Sequence, residues 1–219
     1  MIATDELVKR VRCLLNEAEE DARLSLLNED TRSINAHVLK LLPQDVALVQ
    51  KNKAQGLGCV NPKSVDAETG NLIDCGNGMA KLVLPNDFVA LVSLRLKGWK
   101  RSCCYLLAED SFEAMVLNNG YVGSGVHRPV CVEGVADDGA RVVFLSPLPK
   151  GETAQLEHFV YEAAFDVESG LAGNNMLLAD AVAYYCAALL YSVFERHDQA
   201  NAFLSLATLL CNGKSVERR

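Results

Sequence analysis

Positive charge is what this chain is short of. Its 21 lysines and arginines are outnumbered by 28 aspartates and glutamates, giving a formal charge of −7 and an isoelectric point near 5.1. A protein that wraps a nucleic-acid backbone needs clustered cations, so that class is set aside. An acidic surface past which DNA slides is compatible, because repulsion prevents sticking. The opening residues, MIATDELVKR, lack the basic stretch and apolar core of a secretory leader. No CxxC occurs among the eight cysteines, whose spacings are irregular. Structural zinc usually shows itself by close cysteine pairs. The neighbours Cys103 and Cys104 would point to opposite faces of a strand, so at most one of them can join Cys59 and Cys75 in a metal site. Free thiols in a reducing cytoplasm are expected, with Cys186 and Cys211 acting as small hydrophobes on helix faces. His37, His127, His158 and His197 stand in no ligand or triad spacing, and Ser111 after Asp110 lacks the context of a nucleophile elbow. No catalytic, cofactor-binding or metal-ligating set is expected.

What the chain does have is apolar bulk: half its residues are hydrophobic and 22% are charged, enough to bury a core. Thr4 followed by Asp5 and Glu6 reads as a helix cap and acidic first turn. Leu7, Val11, Leu14, Leu15 and Ala18 then recur at helical spacing, predicting an amphipathic helix over 4–21. A second helical stretch restarts after Asp30, Thr31 and Ser33, and Pro43 is expected to kink it or open a new helix. From 53 to 80 periodicity vanishes into a long irregular loop rich in Gly, Asn and Asp. The middle reads as β: KLVLP, VALVSLRLKGW with Arg95 and Lys97 on its wet face, RSCCYLLAE as a returning partner, then RPVCVEGV and ARVVFLSPL around an Asp138-Gly139 hairpin turn, then LEHFVYEAAF. The last third predicts two helices joined near Arg196–His197–Asp198. Ala200, Phe203, Leu204, Ala207, Leu210 and Cys211 form the apolar face of the second, and Asn212-Gly213 caps it. The fold class is α+β: a helical bundle from N- and C-terminal helices with a β-rich hairpin region between them. Its parts run 1–52, 53–80 (loop), 81–170 (β-rich), 171–213 (helix pair) and 214–219 (basic tail).

Two features invite sharper readings. The glycines of GYVGSGVHRPVCV lead into a strand, whereas a phosphate loop needs a helix to start there; the stretch is expected to be a plain loop feeding a hairpin. The apolar run Leu177–Phe194 spans about 27 Å as a helix, almost a bilayer core. Asp180, Ser192, three tyrosines and five alanines fit a central core helix better, covered by its own domain or by sister subunits.

The order of N-terminal helices, LPNDFVALVSLRLKGW, HRPVCVEG, VVFLSPLPK and the terminal pair ADAVAYYCAALLYSVFERHDQANAFLSLATLL resembles the head–tail connector proteins of short-tailed phages, and more closely the neck adaptor (ring) proteins of crAss-like phages of gut Bacteroides. The resemblance implies a virion structural protein and not an enzyme. It implies a ring of typically twelve copies beneath the portal, bound to the portal on one side and to a neck or tail ring on the other. Genomic DNA would pass through the lumen without specific binding, and no membrane would be involved. Assembly would occur in the host cytoplasm and the finished protein would sit at the virion neck. On this basis the tail residues Lys214, Arg218 and Arg219 are expected to reach the portal. Gly56, Asn61, Asp74 and Asn77 in the long loop, with Asp137 and Asp138 at the hairpin tip, are expected to meet adjacent rings. Another ring-forming tail or stopper component, and a small enzyme with an unmarked site, are the competing readings.

Overall fold

The computed structural model describes residues 1–15, 29–54, 57–65, 72–76, 78–117, 124–136, 138–148, 154–173 and 175–213. It is a mixed α+β protein with two sheets. The chain divides into two compact units, 1–61 with 164–219, and 62–163.

The first unit is helical. α1 (Thr4–Leu14), α2 (Glu29–Asn52), α4 (Met176–Val193) and α5 (His197–Cys211) make it up, and α4 touches each of the other three. Eleven of the 18 residues of α4 are buried, so the longest apolar run, though long enough to cross a membrane, is the central helix of this unit. Leu7 and Val11 of α1, Val38, Leu42, Val46 and Val49 of α2, and Leu178, Val182 and Leu190 of α4 form its core. Truncating a fully buried leucine such as Leu178 to alanine costs roughly 2–5 kcal/mol. Asn175 caps α4 by accepting from the amides of Leu177 and Leu178. Two chain crossings demand glycine. A Cβ on Gly173 would fall 2.2 Å from the Cys59 carbonyl oxygen, and one on Gly170 2.4 Å from that of Ile2.

Several local expectations change here. Thr4 does not cap α1: the cap position is Ala3, with no side-chain bond, and the Thr4 hydroxyl donates to the Val167 carbonyl at 2.7 Å. The described helix ends at Leu14, and residues 16–28 lie outside the described set. Of the two outcomes expected at Pro43, no second helix opens there, because α2 runs through it. Pro43 is exposed, so the carbonyl robbed of its amide partner lies toward solvent while the buried valine stripe holds the helix together. Leu204, expected on the buried face of α5, is exposed. Gly213 follows the end of α5 at φ +72°, the left-handed cap foreseen there.

The second unit is β-rich. β1 (Pro62–Val65), β8 (Leu156–Ala163) and β4 (Phe88–Leu96) form an antiparallel sheet in the order β1-β8-β4. β2 (Leu72–Asp74), β3 (Ala80–Val83), β7 (Arg141–Ser146), β6 (Val130–Val135) and β5 (Leu107–Ala108) form the other, in that order; among the described strands, β5 alone runs parallel to its neighbour. The short α3 (Phe112–Leu117) follows β5. The sheets share one core, with Leu94, Leu96, Phe159 and Tyr161 from the first meeting Leu82, Cys131, Val143 and Leu145 from the second. Phe88, Phe159 and Tyr161 stack with centroids 5.2–6.3 Å apart.

The stretch 53–80 therefore holds two strands in place of one irregular loop. PKSV and LID are too short to show a period of their own; they exist because β8 and β3 offer ladders to join. RSCCYLLAE is not the partner of β4, which pairs with β8. A single antiparallel bridge, Leu94 to Cys103, is its whole contribution to that sheet among the described residues, made after the chain reverses through Gly98 at φ +89°. The hairpin at Asp138-Gly139 forms as β6–β7, with Gly139 at φ +82°. Gly125 belongs to a turn bridged to Arg128 that feeds β6; Gly120 and Gly123 lie outside the described residues.

Candidate interaction surface

Three clusters carry potential chemistry. On the first sheet, the Ser93 hydroxyl lies 2.7 Å from His158 Nε2, with Ser102 Oγ at 3.5 Å. Strand pairing brings these residues together, which no sequence spacing signals. A serine beside an imidazole is two-thirds of a nucleophilic triad, but no carboxylate orients Nδ1 among the described residues. In the shared core, the thiol of Cys131 hydrogen-bonds Cys103, which lowers Cys103 to about 7 against the opposing effect of burial and drives Cys131 well above the ordinary thiol value. Both cysteines are buried, which keeps either thiol from acting on a solvent-borne substrate. Cys104 points outward and is exposed, the opposite-face arrangement expected of the pair. No group of three metal-ligating side chains exists among the described residues.

The third cluster is Asp45 on α2. It is wholly buried, and neither carboxyl oxygen has a hydrogen bond of ordinary geometry. Burial pushes it up to about 7, and the nearby Cys186 thiol offsets this only in part. That thiol is itself raised, by burial first and then by the carboxyl. The pair is a destabilised spot in a packed interior and has no opening to solvent, so it offers no substrate access.

The residues expected to meet partners are scattered. Lys214, Arg218, Arg219, Gly56, Asn77 and Asp137 lie outside the described residues. Asn61 is not on an open surface: it is buried, and its Nδ2 donates to the Ala164 carbonyl at 2.9 Å. It thus ties the last residue before the chain leaves the helical unit to the first residue after it returns. Asp74 and Asp138 are both exposed turn residues, accepting from the amides of Gly76 (2.8 Å) and Ala140 (3.1 Å). Their turns lie at opposite ends of the second sheet. The β2–β3 turn opens at Ala80, which pairs with Leu145 near the end of β7, whereas the β6–β7 turn adjoins Arg141 at its start.

The surface that sequence reasoning missed is the outer face of α5. No charged residue occurs from Gln199 to Cys211. Ala202, Leu204, Ser205, Thr208 and Leu209 are exposed, with Leu204 at 46% and Leu209 at 40%. The polar groups among them are already engaged by the helix itself: Ser205 Oγ donates to the Asn201 carbonyl (2.8 Å), Thr208 Oγ1 to that of Leu204 (2.9 Å) and Asn212 Nδ2 to that of Thr208 (3.0 Å). Val193 and Phe194 add exposed apolar area where α4 ends. Hydroxyls that are internally satisfied lose little when water is removed from them. No protein-family model matches this chain, and no curated protein matches it at a significant level.

Proposed function

We propose that this chain is a structural subunit of a phage neck: a ring-forming head–tail connector that joins the portal to the tail and extends the DNA channel. In this reading the helices form a bundle that builds the ring wall, and the inserted β-rich region reaches neighbouring subunits. The observation that carries it is the outer face of α5. Uncharged, leucine-bearing and with its hydroxyls turned onto its own carbonyls, that face suits burial against another protein chain and offers nothing to a small substrate. Two further features support it. The charge of −7 suits a lumen from which DNA is repelled, letting it pass without adhering. The placement of the Asp74 and Asp138 turns at opposite ends of one sheet suits contacts with two different neighbours.

Light-scattering mass of the purified chain, alone and mixed with the portal protein of the same phage, tests the proposal. The expected outcome is a ring-sized complex with the portal, whether or not the free chain is monomeric. A chain that stays monomeric with the portal present refutes it.

A further inference from the structure

Among the described residues, the β-rich unit gathers cations without ion pairs at one end and acids without ion pairs at the other. Where β6 begins, the Lys100 amide donates to the Val126 carbonyl at 2.8 Å and lays the turn 97–101 beside the turn 125–128. Lys97, Lys100, Arg101, His127 and Arg128 are all exposed there. None is in an ion pair among the described residues, although Arg95 on the adjoining strand is paired with Glu157 at 2.9 Å. The scaffold under these cations is fixed. Trp99 is buried, its Nε1–H donates to the Pro147 carbonyl at 2.8 Å, and Arg95 Nε donates to the Trp99 carbonyl at 3.1 Å. The exposed acid without an ion pair among the described residues at this end, Asp74, stands on the far edge strand, three strand spacings or ~14 Å from β6.

Where β6 finishes, the sign reverses. β5 runs parallel to β6 and passes into α3 there, so Glu109 and Asp110 lie near the β6–β7 turn that bears Asp138. All three acids are exposed and have no ion-pair partner among the described residues. Arg141 at the same end is already committed to Glu133 (2.6 Å) and lies over the Phe88 ring. Among these acids stands apolar surface: Phe112 is 74% exposed, Val135 65% and Met115 58%. An apolar centre with a charged rim is the anatomy of a protein interface, and nucleic acid has no use for it.

We propose that the occupant is a second copy of this chain, with the basic end of one β-unit docked on the acidic end of the next. The acidic end calls for a protein partner that presents fixed cations, and the chain carries such a surface at its other end. A contact between two different ends repeats head to tail and closes a ring when the rotation closes. Opposed charges of this kind set register and orientation more than affinity. The inference rests on the ring reading above.

Zero-length carbodiimide cross-linking of a mixture of unlabelled and ¹⁵N-labelled chain, assembled with the portal, tests it by peptide mass spectrometry. The expected links join Lys97 or Lys100 to Glu109, Asp110 or Asp138 and carry mixed isotopes. A link within one chain is excluded, because the ends are separated by the length of β6, about 17–20 Å. Two charge reversals, K100E/R101E and E109K/D110K, should each weaken assembly at least tenfold with circular dichroism unchanged, and the chain bearing both should recover it. If rings form normally from each reversed variant, this contact is wrong while the ring reading stands. If wild type forms no ring with the portal, the ring reading itself falls. Salt-sensitive binding of short duplex DNA that is lost in K100E/R101E, with assembly untouched, would assign the basic end to nucleic acid and overturn the proposal.

Discussion

Replacing Asp45 by asparagine isolates the cost of a buried carboxyl that has almost nothing to hold it. The group is fully buried, and its pKa rises from 3.8 to about 7 in the folded chain. An acid whose folded pKa is raised binds its proton more tightly when folded. The contribution of this group to stability is therefore greatest below about pH 3.8, falls as the pH climbs from there to about 7, and stays reduced above. At 1.36 kcal/mol per pKa unit, the full penalty above pH 7 is about 4 kcal/mol. By linkage, about 2 kcal/mol of it is present at pH 5 and nearly all of it at pH 8. The D45N chain keeps the shape and loses the titration, so its stability relative to wild type should improve by about 2–3 kcal/mol between pH 5 and pH 8. Urea unfolding of both proteins at the two pH values measures this, and subtracting one chain from the other removes every other titrating group. A difference between the two proteins that is the same at both pH values would mean that Asp45 keeps a near-normal pKa, and that the interior around α2 and α4 is wetter than the packing indicates.

Four other outcomes follow from the geometry. The double substitution L204E/L209E on the outer face of α5 should leave unfolding within about 0.5 kcal/mol of wild type, as for ordinary surface changes, while light scattering with the portal shows assembly lost. Gly173→Ala places a Cβ 2.2 Å from the Cys59 carbonyl and should destabilise the chain by more than about 3 kcal/mol in the same unfolding assay, since backbone must move. A coloured disulfide reagent should modify the exposed Cys13, Cys75 and Cys104 rapidly and leave Cys103, Cys131, Cys186 and Cys211 untouched until denaturant is added. Burial, and then the 2.8 Å bond to Asp87, push the Tyr161 phenol up to about 12; ultraviolet titration against Tyr161→Phe should show it ionising last, and Asp87→Asn should bring it part of the way down.

Long periodic segments were legible in the sequence, and elements built by their neighbours were not. The run that became α4 could be placed because its apolar residues extend all round the helix. The β6–β7 hairpin could be placed because Asp138-Gly139 is a turn that few other conformations tolerate. β1 and β2 escaped notice because four and three residues carry no period; their ladders on β8 and β3 are tertiary. Thr4 looked like a cap because local chemistry favours one, yet its hydroxyl found the Val167 carbonyl far along the chain. Asn61 looked like loop surface because its neighbours are polar, and long-range packing buried it. On α5, helical spacing grouped Leu204 with the core, but spacing cannot tell which flank of an apolar stripe α4 covers. The basic end could not be seen at all, since Lys100 and Arg128 become neighbours only through the backbone bond at Val126.

The two proposed contact surfaces differ in charge, the α5 face carrying none and the β-unit ends carrying opposite signs around the apolar area of Phe112, Val135 and Met115, and that difference assigns them different tasks. Apolar area removed from water supplies affinity without specifying angle, so a wall built on the α5 face alone would tolerate sliding of one copy along another. Charged ends supply little net affinity once desolvation is counted, but they penalise wrong registers by opposing like charges. A ring of fixed copy number needs both, because closure depends on a rotation held constant through every contact. Disabling the two surfaces separately should therefore give distinguishable failures. L204E/L209E should leave free chains at any salt concentration. The charge reversals should leave assemblies that form weakly and vary in size, and raised salt should push wild type toward that same behaviour, since it screens exposed charge and leaves apolar burial intact.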